Sequence, residues 1–189
     1  MKGKMIGNDI FLFRKIIPKN DCELITETIE NYPAWEEAKI FGFKENHRKT
    51  KVDYLSVRYG FNSDLYRAHA IIGYNFKKSF EFLKNEYLNS DNESYLYYKG
   101  DEGVQILKYE TGEFYREHID MGQDVNRTHS CIMYLNDEYE GGETEFIRQK
   151  IKFKGKVGDI IFFPSSFTHP HIAHQITSGT KYTAVIWSF

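Results

Sequence analysis

Cysteine is nearly missing from this chain: there are two in 189 residues, Cys22 and Cys131, each set in an apolar pattern. Two separated thiols build neither a disulfide framework nor a four-cysteine metal site, so both are expected as buried, reduced side chains. Proline is scarce as well, with four residues, and no linker, repeat or low-complexity tract divides the chain. An excess of one charge is absent: 25 basic and 27 acidic residues leave −2. That balance argues against a general nucleic-acid or membrane-surface binder. No apolar run is long enough to span a bilayer, and Met1–Asp9 lacks the apolar core of a signal peptide. The expectation is a cytoplasmic protein without a membrane partner.

Aromatic residues, by contrast, are plentiful: 15 Phe and 14 Tyr. The length suits one domain, 1–189, with a core that needs no staples. Ile10–Phe13 and Ile16-Ile17 read as an opening strand. A helix start follows at Pro18–Asp21, with Asn20 as cap and Glu23 as its capping-box partner, and Tyr32-Pro33 ends that helix. Residues 34–60 show no clear period; Val52, Tyr54 and Ser56-Val57 suggest one strand. From Ser63, Leu65, His69, Ile72, Phe76, Phe80, Leu83 and Tyr87 recur at helical spacing and define one packed face. His69 on that stripe reads as a hydrogen-bonded core histidine rather than a metal ligand. Asn89–Asn92 reads as a polar loop.

From residue 95 the pattern changes to short strands punctuated by glycine. Strands are expected near 95–98, 103–110, 113–120, 129–136, 143–147, 150–153, 159–163, 171–176 and 181–188, with a turn at Thr177–Thr180. Many short strands at this spacing predict an all-β sandwich or barrel. The fold class is therefore mainly β with flanking helices, an α+β chain with helical support over 1–94 and a β core over 95–189.

The stretch Tyr109–Asp120 ends in His118-Ile119-Asp120. Alternate residues of a strand face the same way, so this imidazole and carboxylate can meet one point. A second histidine would complete a set of two histidines and a carboxylate, which covers one face of an octahedral Fe(II) and leaves the other open. The candidates are His129, His169, His171 and His174. His171 and His174 differ by an odd number, so one strand cannot turn both inward. His169 precedes Pro170 and belongs to the loop, so a strand starts more readily at His171. On the last strand Lys181, Thr183, Val185 and Trp187 share a face. A lysine inside a barrel is costly unless an anion meets it, so an acidic ligand is expected there.

These pieces, in order, resemble the 2-oxoglutarate and Fe(II)-dependent oxygenases of the prolyl 4-hydroxylase type, compact bacterial and viral members included. The match runs through Gln105–Tyr109, Gly112, Tyr115, His118 and Asp120. It continues with Arg127, Met133–Asn136, Gly141–Thr144, Gly158-Asp159 and Phe162–Pro164, and closes with His171, Gly179, Lys181 and Trp187. The resemblance implies a double-stranded β-helix, or jelly-roll, core. It implies His118, Asp120 and His171 as iron ligands, and the spacing of ten between His171 and Lys181 agrees. It implies Lys181 against the far carboxylate of 2-oxoglutarate, with Tyr109 and Thr144 bonded to that end and Trp187 as a wall. Tyr115 and Arg127 match substrate-contacting positions. The implied cofactors are Fe(II), 2-oxoglutarate and O2, with ascorbate as reductant.

The implied activity is hydroxylation of a peptidyl residue, foremost proline, with succinate and CO2 as co-products. The implied partner is a peptide or protein substrate containing proline. The chain ends Trp187-Ser188-Phe189, where collagen-type members show Trp-x-His, which bears on the substrate and not on iron. Hydroxylation of another side chain or a small molecule fits the same fold. A non-catalytic jelly-roll module fits less well, because a retired site has no reason to keep a buried lysine. A nucleic-acid demethylase lacks a basic stripe here.

Overall fold

The computed structural model describes residues 3–38, 47–58, 60, 62–88, 98–122 and 126–189. β1 (Gly3–Gly7) and β2 (Ile10–Phe13) form a hairpin, and α1 spans Lys19–Asn31. Short strands β3 (Glu36–Glu37), β4 (Arg48–Lys49) and β5 (Lys51–Asp53) precede α2 (Leu55–Arg58) and the long α3 (Ser63–Leu88). Next come β6 (Gln105–Tyr109), β7 (Phe114–His118), β8 (His129–Tyr134), β9 (Tyr139–Gly141) and β10 (Thr144–Phe146). The chain closes with β11 (Ile151–Phe153), β12 (Ile160–Pro164), β13 (His171–Ala173), β14 (Ile176–Gly179) and β15 (Lys181–Ser188).

An eight-stranded sheet runs β1-β2-β12-β8-β15-β6-β5-β3, and a five-stranded sheet runs β11-β10-β13-β7-β4. β9 and β14 pair beside them. This is the jelly-roll arrangement, with helices on the outer face of the large sheet. Residues before 95 add strands to both sheets as well as helices.

Strand periodicity explains the layering. Cys131 and Met133 of β8, Ile160 and Phe162 of β12, and Ala184 and Ile186 of β15 pack with the helices. Their alternates turn inward: Tyr134, Ile161 and Phe163 meet Phe146 of the small sheet, and Val185 and Trp187 meet Leu107, Tyr109 and Tyr139. The central strands are thus apolar on both faces. The expected α3 stripe packs through Leu65, Ile72, Phe76, Phe80 and Leu83, which are buried, with Phe76 stacked on Phe162 at 5.7 Å, and the Tyr87 side chain lies outside the described set. His69 hydrogen-bonds Ser56 Oγ at 3.1 Å, away from the centre. Cys22 and Cys131 are free and buried, and burial pushes the Cys22 thiol up to about 12.

Several local expectations change. Asn20 does not cap α1: Pro18 is the N-cap, no side chain caps it, and the Pro18 carbonyl accepts from Asp21 and Cys22. Proline's fixed φ sets up the helix start two residues earlier. Ser56-Val57 lie in α2 rather than a strand, with Leu55 fully buried and Ser56 Oγ taking the Val104 N–H at 2.5 Å. The expected strand 171–176 breaks after Ala173, because the N–H groups of His174 and Ile176 go to Glu143 and Glu113. Residues 177–179 are strand rather than turn, since β14 finds β9 as a partner. The expected strand near 95–98 and the loop Asn89–Asn92 fall on residues outside the described set, apart from residue 98. Among the described residues no helix is long and apolar enough to cross a membrane.

Gly158 locks the hairpin region to the core. It donates to Tyr134 O and accepts from Ile16 and Ile17, at φ +80°, and a Cβ there would lie 2.1 Å from Ile17 O. Gly158→Ala should therefore lower stability by roughly 2 kcal/mol or more. Urea unfolding with an unchanged m-value checks this, and an unaltered midpoint contradicts it.

Candidate metal and anion site

β7 and β13 are antiparallel neighbours in the small sheet, and their register sets His118 opposite His171. Asp120 lies just past the end of β7, in the turn where Met121 N donates to Ser165 O. One ligating atom from each of His118, Asp120 and His171 lies within 4.8 Å of the others, and all three side chains are nearly buried. His118 Nε2 is 3.6 Å from Asp120 Oδ1, and His171 Nε2 is 3.7 Å from Asp120 Oδ2.

Outer contacts aim these atoms. His118 Nδ1 meets Arg116 O at 2.7 Å and His171 Nδ1 meets His169 O at 3.1 Å. A backbone carbonyl accepts, so each Nδ1 carries the proton and each Nε2 is a free lone pair turned inward. Ser130 Oγ donates to Asp120 Oδ2 at 2.5 Å and is itself 2.8 Å from Ser165 Oγ. Burial, then the neighbouring His171, keeps the His118 imidazole well below the usual range. Burial works to raise the Asp120 carboxyl, but His171, His118 and Ser130 outweigh it and hold the carboxyl low. A divalent cation binds neutral imidazoles and an ionised carboxylate, and it displaces any proton left on either Nε2. The donor set of two nitrogens and one carboxylate fits Fe(II).

The other late histidines are engaged elsewhere. His174 Nε2 pairs with Glu145 at 2.6 Å on the outer side, and His169 bridges Asn8 O and Thr168 Oγ1. His129 is mostly buried against Phe80, and burial pushes its imidazole down to about 4.

Deeper between the sheets sits Lys181, 3% exposed. Its ammonium donates to Gly142 O at 2.7 Å and lies 5.4 Å from the Tyr134 ring, 5.6 Å from Tyr109 and 5.9 Å from Tyr139. Thr144 Oγ1 and Tyr134 OH are 2.7 Å apart beside it. Burial pulls Lys181 down to about 7, with Glu143 acting in the opposite sense. A buried ammonium with one neutral acceptor lacks an anion, and the far carboxylate of 2-oxoglutarate fits that need.

Arg127 is held tightly. It donates through Nε and Nη2 to Glu102 at 2.6 and 2.5 Å and through Nη1 to Asp120 O at 2.9 Å. Its guanidinium covers the Trp187 ring at 3.8 Å, and Glu102 N donates to Trp187 O. The Trp187 N–H lies beside Asp120 and adds to holding its carboxyl low, without closing a hydrogen bond of good geometry. Tyr115 stacks flat on His118, with centroids 3.4 Å apart and planes 7° apart. The sequence pattern did not single out Ser130, Glu102 or Arg48, and it offered Tyr134 as part of the matched stretch Met133–Asn136 without its bond to Thr144. Ser130 and Tyr134 were findable as polar groups on the inward parity of β8; Arg48 lies where no period was visible.

Residues 104–189 match the 2OG-Fe(II) oxygenase superfamily. It is 31% identical over 111 residues to prolyl 4-hydroxylase 1 of Arabidopsis thaliana, across 44% of this chain and 39% of that one. A PKHD-type hydroxylase of Prochlorococcus marinus is 28% identical over 192 residues, covering 94% of this chain and 76% of the other. In structure, a prolyl hydroxylase of Trichoplax adhaerens, solved with a hypoxia inducible factor peptide fragment, superposes at TM-score 0.79. It shares 15% identity, over 96% of this chain and 84% of that one, so the likeness is one of fold. The chain spans less than half the length of the first curated relatives it matches.

Two outcomes are expected. Glu102→Ala, which frees Arg127 from its carboxylate, should weaken Fe(II) or Mn(II) binding about tenfold or more. Glu102→Gln should recover part of that loss; equal metal affinity in all three proteins would show that the clamp does not govern Asp120. The second outcome concerns Lys181. Its folded pKa lies below the unfolded value, so between about 7 and 10.5 the unfolded chain holds a proton that the folded chain lacks. Apo stability should therefore rise with pH across that window. An anion restores the charge, so 2-oxoglutarate binding at pH 8 should take up about one proton. Calorimetry in buffers of different ionisation heats reads the uptake. Lys181→Ala should lose it and bind about tenfold to a hundredfold more weakly.

Proposed function

We propose that this protein is an Fe(II)- and 2-oxoglutarate-dependent dioxygenase that hydroxylates a prolyl residue of a peptide or protein, releasing succinate and CO2. One observation carries the reading: an inward-facing trio of His118, Asp120 and His171 beside a buried lysine that forms no ion pair among the described residues. The likeness to prolyl 4-hydroxylases over the C-terminal half supports proline as the target. In this reading His118 Nε2, Asp120 and His171 Nε2 hold the iron, and Lys181, with Thr144 and Tyr109 near it, receives the far carboxylate of the cosubstrate. When bound, Fe(II) and 2-oxoglutarate would supply the electrons that activate O2, the oxidant of the reaction.

The chain's own residues bind and orient. The carbonyls of Arg116 and His169 keep both Nδ1 atoms protonated, so the Nε2 lone pairs remain available. Ser130 and the Arg127–Glu102 pair hold the Asp120 carboxylate and its backbone in register. Tyr109, Tyr134, Val185 and Trp187 exclude water from the cosubstrate side, which strengthens the charge pairing there. Tyr115 covers the open face of His118, where a substrate side chain would approach. Ascorbate as a reductant needs no residue of its own in this scheme.

Alanine variants at Asp120, His171, His169 and His174 test the assignment. Asp120→Ala and His171→Ala should lose succinate release and Fe(II) affinity with far-UV spectra unchanged. His169→Ala and His174→Ala should keep measurable turnover. Activity in His171→Ala with a dead His174→Ala would force the site to be redrawn.

A further inference from the structure

Arg48 comes from a part of the chain outside residues 104–189, yet it reaches the site. β4 pairs with β7 so that Arg48 stands directly opposite Tyr115. Its guanidinium lies 4.6 Å from the Tyr115 ring centroid, and that ring also stacks on the His118 imidazole at 3.4 Å and meets the His47 ring edge-on at 6.1 Å. Arg48 also lies beside the Tyr109 hydroxyl and acts on the charge states of Tyr109, Tyr115 and His118. Its Nε is buried and finds no hydrogen-bond partner among the described residues, and none of their carboxylates forms an ion pair with it. Three other arginines are held in ion pairs: Arg127 with Glu102, Arg58 with Asp53 and Arg14 with Asp159.

Charge counting shows what Arg48 lacks. On the functional reading above, on which this inference rests, Fe(II) less Asp120 leaves one positive charge, and Lys181 adds a second. The two carboxylates of 2-oxoglutarate cancel both. Arg48 then remains as an extra, partly desolvated cation on the substrate side of Tyr115, with spare planar donors. A guanidinium so placed is matched by a carboxylate, which it can grip through two parallel N–H bonds.

We propose that Arg48 and Tyr115 form a carboxylate-binding subsite, and that the substrate is a peptide with an acidic side chain or free C-terminal carboxylate flanking the hydroxylated residue. Tyr115 provides the platform between this subsite and the metal ligand His118. Arg48 sets the charge preference, and the hydroxylation chemistry is unaffected in kind.

The test uses the full chain loaded with Mn(II) and 2-oxoglutarate without oxygen, so that binding is read apart from turnover. Labelled proline-containing peptides are titrated in pairs, Asp or Glu against Asn or Gln beside the proline, and followed by anisotropy. The native protein should bind the acidic member about tenfold more tightly, and Arg48→Gln should erase the difference while Arg48→Lys keeps part of it. Equal binding of both members, or a preference that survives in Arg48→Gln, overturns the proposal. A weaker 2-oxoglutarate affinity in Arg48→Gln with the peptide preference intact assigns the carboxylate to the cosubstrate and also overturns it. Succinate release with peptide and oxygen is measured in parallel. Its absence together with an acidic preference in binding would strike the hydroxylase reading and leave the subsite standing.

Discussion

The register between β7 and β13 is the constraint on which the centre depends. It sets His118 and His171 side by side on adjacent strands, with ring centroids 4.1 Å apart. Side chains on one sheet face repeat every two residues, so a slip of one residue would turn either imidazole out to solvent. Asp120 then needs only the short turn after β7 to come within reach of both rings. The flanking β10–β13 ladder and the Met121–Ser165 hydrogen bond hold that turn and strand in place.

Electrostatics follow from this placement. Three titratable groups in so small a dry space would repel or neutralise one another unless their states were fixed. Backbone carbonyls fix the tautomers of both imidazoles, and a serine and the neighbouring rings keep the carboxylate ionised. Lys181 is the opposite case: its neighbours are aromatic rings and one carbonyl, so burial alone dominates. The site is therefore poised between a negative metal pocket and a positive far wall, a polarity that suits a chelating dicarboxylate.

Much of this was legible in the residues. The α3 stripe and the inward face of β15, Lys181 included, come from simple periods of 3.6 and 2. The bias toward His171 came from parity and from Pro170. Local signals failed where tertiary partners overruled them. Asn20 has a good cap chemistry, but Pro18 already provides the turn. Thr177–Gly179 looks like a turn, and becomes strand because β9 lies alongside. Ser56-Val57 looked like strand, but burial of Leu55 curls the segment into helix.

The sequence by itself determined which residue types carry the chemistry and which faces of the strands they share, because side-chain periodicity is set by local backbone geometry. It also determined that the chain would build a packed β core with helices against it. Only the tertiary structure decided that Glu102 would grip Arg127, that Ser130 would bond Asp120, and that Arg48 would lie on Tyr115 without a carboxylate. Those contacts join residues 10 to 67 positions apart, and no local period encodes which distant strand becomes a neighbour.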